Sequence, residues 1–285
     1  MGTLLSAELH KLESSIRAPQ PGDEAATLEA TILGPELRVE QQTTAAFTGA
    51  DLSVTLDGTE VPRHEPVTCR PRSVVRFGER REGARAYVAF DGGVATPQAL
   101  GSRATHVLTG LGGVEGRALR AGDRLPLGEP VAPPPRAIRR ARAARSSPEA
   151  SGVRLRVLAG PQDGCFTPAA FAVLQETRFT ISVESDRMGY RLSCDRAIPF
   201  AATGQMISDV TFIGGLQVPP SGNPILLMAN RQTTGGYPQI ATVITADLAA
   251  AGQLAPGDWV EFELCSRADA LAALLAQEGR LLAFW

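Results

Sequence analysis

Short runs in which apolar and polar residues alternate cover most of the chain, and this pattern predicts a mainly β protein. In the first half, Leu28, Ala30 and Ile32 alternate with polar neighbours, and so do the residues from Ala84 to Phe90. Turn signals such as Asp57-Gly58 separate these runs. In the second half the same alternation predicts strands whose apolar positions are Val153, Leu155, Val157, Phe179, Ile181, Val183, Val260, Phe262 and Leu264.

Two segments of the second half break the alternation. The continuous apolar run from Ile225 to Met228 predicts a strand that is buried on both faces. A short helix is predicted after Thr167, which can cap it, with Pro168 at its first position. We expect this helix to bury Phe171 and Leu174.

A second helix is predicted near the end of the sequence. Ser266 with Asp269 three residues later resembles a capping box. Gly279 is expected to end the helix. Between them lie the apolar positions Leu271, Leu274 and Leu275.

The composition changes abruptly after residue 127, and this change predicts a linker. Pro133, Pro134 and Pro135 extend the chain, and like charges repel one another in the arginines that follow, which are Arg136, Arg139, Arg140, Arg142 and Arg145. A nucleic-acid-binding patch is the alternative, but no aromatic residues interleave with the arginines and the net charge is −2. We therefore divide the chain into an N-terminal β subdomain (1–127), a linker (128–151) and a C-terminal subdomain (152–285).

Composition excludes several classes of function. With a net charge of −2, no global field attracts the chain to nucleic acid or to a membrane. No apolar stretch reaches the roughly 18 residues that span a bilayer, and the N-terminus does not resemble a signal peptide. The four cysteines lie far apart without a CxxC pair, so reduced thiols and a cytoplasmic location are expected.

The single lysine, Lys11, excludes further chemistry. It is followed by Leu12 rather than by Ser or Thr, so no phosphate-binding loop of the GxxxxGK[ST] type is present. It also lies in a polar, weakly helical N-terminus, which is unlike a biotin-carrying hairpin or a buried Schiff-base lysine. Histidine and cysteine show no zinc spacing, so we expect no metal site. His106 is either a catalytic base or a structural histidine, and we favour the structural role.

Three loops between Ser185 and Pro238 concentrate polar residues that packing alone does not require. The first loop contains Arg187 and Tyr190, and the second contains Gln217 and Ser221. In the third, the amides of two glycines are expected to face an anion. Turns of a β-barrel would explain the glycines and prolines, but not this gathering of guanidinium, phenol and amide groups. The third loop provides Gln232, Thr233, Thr234, Gly235, Gly236 and Tyr237.

These loops carry a resemblance to a known family. The segments SDRMGYRL, ISDVTFIGGLQVPPSGNPILLM, RQTTGGYPQIATVI and PGDWVEF resemble the family that holds the C subunit of ATP-dependent 5-oxoprolinase. The same family includes one half of the carboxyltransferase domain of urea carboxylase, also described as allophanate hydrolase subunit 2-like. The similarity runs from about Val153 to Leu264, and a weaker one extends back to LEATILGP at Leu28 to Pro35.

The resemblance implies a fold, partners and cofactors. It implies two β-rich subdomains with a few short helices, of which the C-terminal subdomain is a cyclophilin-like barrel. It also implies a hetero-oligomer with a protein of related fold that is like the B subunit of 5-oxoprolinase, and with a protein like the A subunit of that enzyme. In that system ATP drives the opening of the lactam of 5-oxoproline to glutamate, whereas the carboxylase relatives bind biotin.

The sequence departs from the family in three places. Residues 1–25 do not match the usual N-terminal segment, so they are expected to be atypical and truncated relative to the family. Asn230 stands where an aspartate commonly precedes RQTTGG, and Cys194 stands where glycine is frequent. No His or Lys lies next to Cys194 to lower its pKa, so we expect a packed residue rather than a nucleophile.

Three functions follow as hypotheses. The first is the lactam-opening subunit, in which Arg187 binds a carboxylate or phosphate, and Ser221, Thr233, Thr234, Gly235 and Gly236 bind substrate or phosphate. Tyr190 and Tyr237 orient or donate protons, and Gln217 and Gln232 contact the substrate amide. No strong general base is evident, which predicts a site completed by a partner. The alternatives are carboxyl transfer from carboxybiotin and a non-catalytic protein that antagonises a kinase inhibitor.

Overall fold

The computed structural model describes residues 25–129, 152–199 and 206–282. The described residues divide into two compact units, one formed by residues 25–129 and the other by residues from 152 onward. Most of the predicted linker, 130–151, lies outside the described residues, as does the atypical segment 1–24. Gly128 belongs to the first unit, because its main-chain N–H donates to the Gly93 carbonyl over 2.9 Å.

The first unit contains two four-stranded sheets. One has the strand order β1-β8-β3-β6 and the other has the order β2-β7-β4-β5. Their core includes Phe47, Val75 and Val88. The strands are β1 (Leu28–Thr31), β2 (Leu37–Arg38), β3 (Thr43–Asp51), β4 (Thr55–Leu56), β5 (Thr59–Glu60), β6 (Pro66–Cys69), β7 (Val74–Arg76) and β8 (Glu82–Phe90).

Strand β8 differs from its predicted half-buried pattern. It lies between β1 and β3 in the sheet, and all residues from Ala84 to Ala89 are buried. Even Arg85 is only 4% exposed, and its guanidinium lies 3.8 Å from the Glu29 carboxylate. The alternation of Ala84, Ala86, Val88 and Phe90 therefore does not mark a solvent-facing side.

The second unit is a closed barrel with the strand order β10-β11-β14-β13-β16-β9-β17. All neighbours are antiparallel except β17 and β9, which run parallel. This barrel confirms the mainly β fold class. The strands of this unit are β9 (Gly152–Ala159), β10 (Phe179–Ile181), β11 (Gly189–Ser193), β12 (Asp209–Val210), β13 (Gly215–Gln217), β14 (Ile225–Leu227), β15 (Thr234–Gly235), β16 (Gln239–Val243) and β17 (Trp259–Leu264).

The barrel core confirms one strand prediction and corrects another. Leu226, Leu227 and Met228 are at most 2% exposed, as expected of a strand buried on both faces. The alternation that begins at Phe179 stops early, because β10 ends at Ile181 and Val183 is 85% exposed.

Two strands of the second unit stand apart from the barrel. β12 and β15 pair with each other as a two-stranded ribbon, which we call the β12–β15 ribbon. Asp209 lies opposite Gly235, and Val210 lies opposite Thr234. The ribbon holds two of the residues singled out in the third polar loop.

Three α-helices lie within the described ranges, namely α1 (Pro168–Glu176), α2 (Leu248–Ala251) and α3 (Arg267–Leu282). Thr167 caps α1 as predicted, because its hydroxyl accepts from the Ala170 N–H over 3.3 Å. Leu174 is fully buried, but Phe171 is only half-buried. None of these helices is long and apolar enough to cross a membrane.

The capping box that starts α3 is present. The Ser266 hydroxyl donates to the Asp269 carboxylate over 2.6 Å, and the Asp269 N–H donates back to the Ser266 hydroxyl over 3.1 Å. The predicted end at Gly279 is wrong, since α3 continues to Leu282. A glycine inside a helix costs only about 1 kcal/mol relative to alanine, which an extended helix tolerates.

Candidate functional site

The candidate site is organised by the side chain of Gln217 at the end of β13. Its Oε1 accepts from Gln232 Nε2, and its Nε2 donates to the Tyr237 carbonyl, both over 3.4 Å. Gln217 is 2% exposed, whereas Gln232 is exposed and Tyr237 is 44% exposed. The buried amide therefore contacts the exposed side chain of Gln232 and the main chain of Tyr237.

A β-bulge places this amide. The register between β13 and β16 shifts between Leu216 and Gln217, and the shift sets Gln217 opposite Gln239. Bulges redirect side chains and are frequent beside functional sites. The two glutamines consequently lie opposite each other in the barrel wall.

Gly235 and Gly236 have different structural roles. A Cβ on Gly235 would lie 2.4 Å from Gln217 Nε2, so a side chain at this position would displace the end of the Gln217 amide. At Gly236 the nearest atom to such a Cβ is Ser208 Oγ at 3.8 Å, which leaves room. Thr234 and Gly235 form β15, so part of their main chain is engaged in the β12–β15 ribbon.

A further set of polar residues, which was not identified from the sequence, anchors the β12–β15 ribbon. The Thr211 hydroxyl donates to the Gln232 carbonyl. Gln239 Nε2 donates to the Val210 carbonyl over 3.0 Å. Gln162 connects β16 to the β12–β15 ribbon. Its side chain accepts from the Gln239 main-chain N–H over 3.1 Å and donates to the Asp209 carboxylate over 2.8 Å. The available signal was a glutamine at the start of the apolar run QIATVI.

Gln239 has one group whose environment is unusual. Its Oε1 is buried and has no hydrogen-bond partner among the described residues. This oxygen lies 2.5 Å from where a Cβ on Gly215 would be, so it faces the bare Cα of that glycine. An unsatisfied buried acceptor costs about 1–3 kcal/mol, which the rest of the wall offsets.

Arg187 lies in the hairpin between β10 and β11, and main-chain bonds connect this hairpin to the third polar loop. The Arg187 carbonyl accepts from the Asn230 N–H over 2.8 Å, and the Met188 carbonyl accepts from the Met228 N–H over 2.9 Å. The Asp186 carboxylate shapes the turn, since it accepts from the Met188 N–H over 2.8 Å. The first and third polar loops are therefore held together through their main chains.

Tyr190 lies close enough to Arg187 to affect the pKa of its guanidinium. The Arg187 side chain is partly accessible to solvent. The surrounding protein desolvates its guanidinium and thereby lowers its pKa, whereas Tyr190 has a smaller effect that raises the pKa. Tyr190 is 3% exposed and lies opposite Leu226 in the barrel. A partly desolvated guanidinium binds a carboxylate or phosphate more strongly than a fully hydrated one.

We call Gln217, Gln232 and Gln239 the amide cluster. The side chain of Ser221 makes no described contact with this cluster. Its hydroxyl accepts from the Asn223 N–H over 3.4 Å within the same turn. Gly222, in the left-handed region at a φ of 76°, holds this turn against Ile198 through a 2.9 Å main-chain bond. Thr233 and Thr234, by contrast, are exposed next to Gln232.

The thiol of Cys194 lies near this turn. Its Sγ donates to the Arg196 carbonyl over 3.1 Å, and burial raises its pKa. A raised pKa keeps the sulfur protonated, which disfavours a nucleophile. Over the described ranges no group of three His, Cys, Asp or Glu side chains is arranged to hold a metal ion.

The second unit is therefore a β-barrel protein whose wall carries the buried amides of Gln217 and Gln239 near the exposed side chains of Gln232, Thr233 and Tyr237. The chain belongs to the family described as carboxyltransferase domain, subdomain A and B, whose model matches residues 20–264.

Two curated relatives cover most of the chain. It is 34% identical over 263 residues to the C subunit of 5-oxoprolinase from Escherichia coli (strain K12), a match that covers 89% of this chain and 80% of that protein. It is 33% identical over 243 residues to the C subunit of 5-oxoprolinase from Haemophilus influenzae, a match that covers 85% of this chain and 76% of that protein. The chain is thus homologous to the 5-oxoprolinase C subunit over nearly its whole length.

A solved structure supports the fold. The crystal structure of the K. lactis urea amidolyase matches 98% of this chain with a TM-score of 0.86 and 24% sequence identity. The match takes up 18% of that much longer chain. At this identity the likeness supports the fold alone.

Proposed function

We propose that the chain is the C subunit of an ATP-dependent 5-oxoprolinase complex that opens the lactam of 5-oxoproline to glutamate. The observation that carries this proposal is the homology over 80% of the E. coli C subunit. The amide cluster lies inside the matched region, between residues 20 and 264.

The side-chain amides of Gln217 and Gln232 are suited to binding a lactam. A lactam presents one N–H donor and one carbonyl acceptor, and a glutamine amide offers the complementary groups. The two bonds that Gln217 makes, to Gln232 and to Tyr237, measure 3.4 Å, which is longer than most hydrogen bonds of this kind. In our proposal the ligand amide replaces or shares these weak bonds.

Arg187 binds the anionic part of the substrate in this proposal. Its planar fork fits the carboxylate of 5-oxoproline or a phosphate transferred from ATP. Thr233, Thr234 and Tyr237 are exposed and provide hydroxyl groups for the same charge. Tyr190 supports the guanidinium from the buried side.

Catalysis requires partner subunits in this proposal. The side chains around Gln217 that the structure describes are amides, hydroxyls, a phenol and a guanidinium, none of which is a strong base near neutral pH. The β12–β15 ribbon contains one carboxylate, Asp209, but Gln162 and the Val210 N–H each donate to one of its oxygens. Proteins like the B and A subunits of 5-oxoprolinase would provide the base and the ATP site.

The direct test is reconstitution with those subunits and an assay of ATP-dependent glutamate release from 5-oxoproline. We expect Arg187→Ala to reduce release by about 10²-fold, as loss of a charge-stabilising donor does. Arg187→Lys should not restore it, because an ammonium lacks the fork. Gln42→Ala is the matched control, since Gln42 is exposed in a loop of the first unit.

Two results would reject this proposal. One is an intact complex with no turnover of 5-oxoproline. The other is full activity in Arg187→Ala and Tyr190→Phe, which would favour a non-catalytic binding protein.

Carboxyl transfer from carboxybiotin is the second candidate, favoured by the description of the family model. The carrier lysine must then come from another chain or domain, because Lys11 is the single lysine here. Biotin-dependent carboxylation of a urea-like nitrogen, measured with an added biotinylated carrier, distinguishes this candidate from the first.

A further inference from the structure

Helix α3 has two faces of different character. One face, made of Ala270, Ala273, Leu274 and Gln277, is half-buried. The helix packs on the turn Thr245–Asp247 and on β9. This contact attaches the helix to the barrel and leaves the opposite face to solvent.

The opposite face is apolar along its whole described length. Leu271 and Leu275 are 57% and 63% exposed, although they lie one turn apart on the same side. Apolar residues four positions apart form the stripe that an amphipathic helix normally buries against another surface. The exposed stripe consists of Ala268, Leu271, Ala272, Leu275, Ala276 and Gly279.

Charged residues flank this stripe in an ordered way. Arg267 and Glu278 lie on one side of it, eleven residues or about three turns apart. Asp269 and Arg280 lie on the other side with the same separation and the opposite order of sign. Within the described part of the chain Arg267, Glu278 and Arg280 form no ion pair.

These charges fit a second copy of the same helix. When two such helices pack antiparallel, the same flank of each meets, and the start of one helix lies beside the end of the other. Arg267 then lies near Glu278 of the second copy, and Asp269 lies near Arg280 of the second copy. Both pairs are attractive on both sides of the two-fold axis.

The apolar positions agree with the same register. It sets Leu271 against Ala276 of the second copy and Leu275 against Ala272, so that each large side chain meets a small one. Ala268 meets Gly279, where the helices can approach closely. Large-to-small matching is what allows two helix faces to interdigitate.

We propose that α3 is a self-association surface through which two copies of the chain pair antiparallel. The family model matches residues 20–264 and so ends before α3 begins, and the self-association surface does not depend on the proposed function. Sixteen residues give a helix of about 24 Å, and one pair of this length falls at the low end of stable interfaces. The dimer is therefore concentration-dependent.

Sedimentation equilibrium of the full chain tests the proposal, between about 1 and 100 µM, the range expected for a small interface. We expect the mass to rise from the 30.0 kDa of one chain toward twice that value. Leu271→Glu with Leu275→Glu should hold it at 30.0 kDa. Val183→Glu is the matched control, since Val183 is 85% exposed elsewhere in the same unit, and it should associate like the unaltered chain.

A charge swap tests the register without touching the apolar stripe. Glu278→Arg alone should weaken association at least tenfold, and adding Arg267→Glu should restore it. Failure of the double variant to recover overturns the antiparallel arrangement.

Two outcomes overturn the whole proposal. One is a mass of 30.0 kDa at every concentration, with amide exchange in α3 independent of concentration. In that case another segment of the chain, or a different protein, covers the stripe. The other is an equal loss of association in Val183→Glu.

Discussion

Gln217 and Gln239 lie directly opposite each other across the bulge between β13 and β16, and both are buried, at 2% and 1% exposure. Gln217 supports the exposed residues Gln232 and Tyr237, while Gln239 holds the β12–β15 ribbon through the Val210 carbonyl. One amide therefore contacts the site and the other fixes the ribbon that carries part of it.

Gln239→Met should separate stability from activity. The substitution removes the bond to Val210, but it also removes the unsatisfied Oε1, so we expect the free energy of unfolding to change by no more than about 1 kcal/mol. Activity should fall mainly through a higher KM, because the ribbon is less well held. Urea unfolding and steady-state kinetics on the assembled complex measure the two effects. A large loss of stability with unchanged KM would contradict this role.

Gly235→Ala should reduce activity at least about tenfold, because displacing positioned groups by a fraction of an ångström is costly. The new Cβ would lie 2.4 Å from Gln217 Nε2 and would push the amide away. Gly236→Ala is the control and should be nearly silent, since its nearest neighbour is 3.8 Å away. Equal effects of the two substitutions on glutamate release would argue against close packing at Gly235.

The ion pair between Asp123 and Arg117 should make the first unit acid-sensitive. Two bonds of 2.8 and 3.0 Å from the guanidinium, with a 2.7 Å bond from the Arg120 N–H, lower the pKa of Asp123 to about 2 from 3.8. Because the folded pKa is depressed, the stabilisation is fully present above pH 3.8 and is lost as the pH falls toward 2.

Asp123→Asn tests this dependence through urea midpoints measured between about pH 5 and pH 2. The variant should lose stability at pH 5 and show a flatter decline below pH 4 than the unaltered chain. Glu79→Gln is the control, since Glu79 is exposed in the same unit. Parallel pH profiles for the unaltered chain and Asp123→Asn would contradict the assignment.

Ser266→Ala should destabilise the start of α3 by about 1 kcal/mol through loss of the capping box. Amide exchange in the first turn of α3 should become faster, while the barrel strands stay protected. Ser193→Ala is a suitable control because Ser193 is exposed in β11 and caps no helix. If α3 is the self-association surface, Ser266→Ala should also weaken the dimer.

Features fixed by local chemistry were predictable from the sequence. The caps at Thr167 and Ser266 depend on residues three positions apart, and the buried run at Ile225 to Met228 depends on continuous apolar character. Burial on both faces of β8 was not predictable, because its alanines and Tyr87 give no sign that β8 becomes a central strand.

Part of the candidate site was also predictable from the sequence. Gln217, Gln232, Gly235 and Tyr237 were identified from their unusual density in two loops, and they do come together. Gln162 was missed because it contacts Gln239 from 77 residues away in the chain. Gln239 was missed because only the bulge, a matter of strand register, sets it beside Gln217.

The parallel pairing of β9 with β17 has a consequence for how the second unit folds. Arg154 and Glu261, neighbours in this pair, are 107 residues apart in the chain. The barrel therefore cannot close until its last strand, β17, pairs with its first strand, β9. Contacts between residues so far apart in the chain slow folding. On the ribosome the barrel stays open until β17 has emerged, and during that interval the edge of β9 is exposed to aggregation.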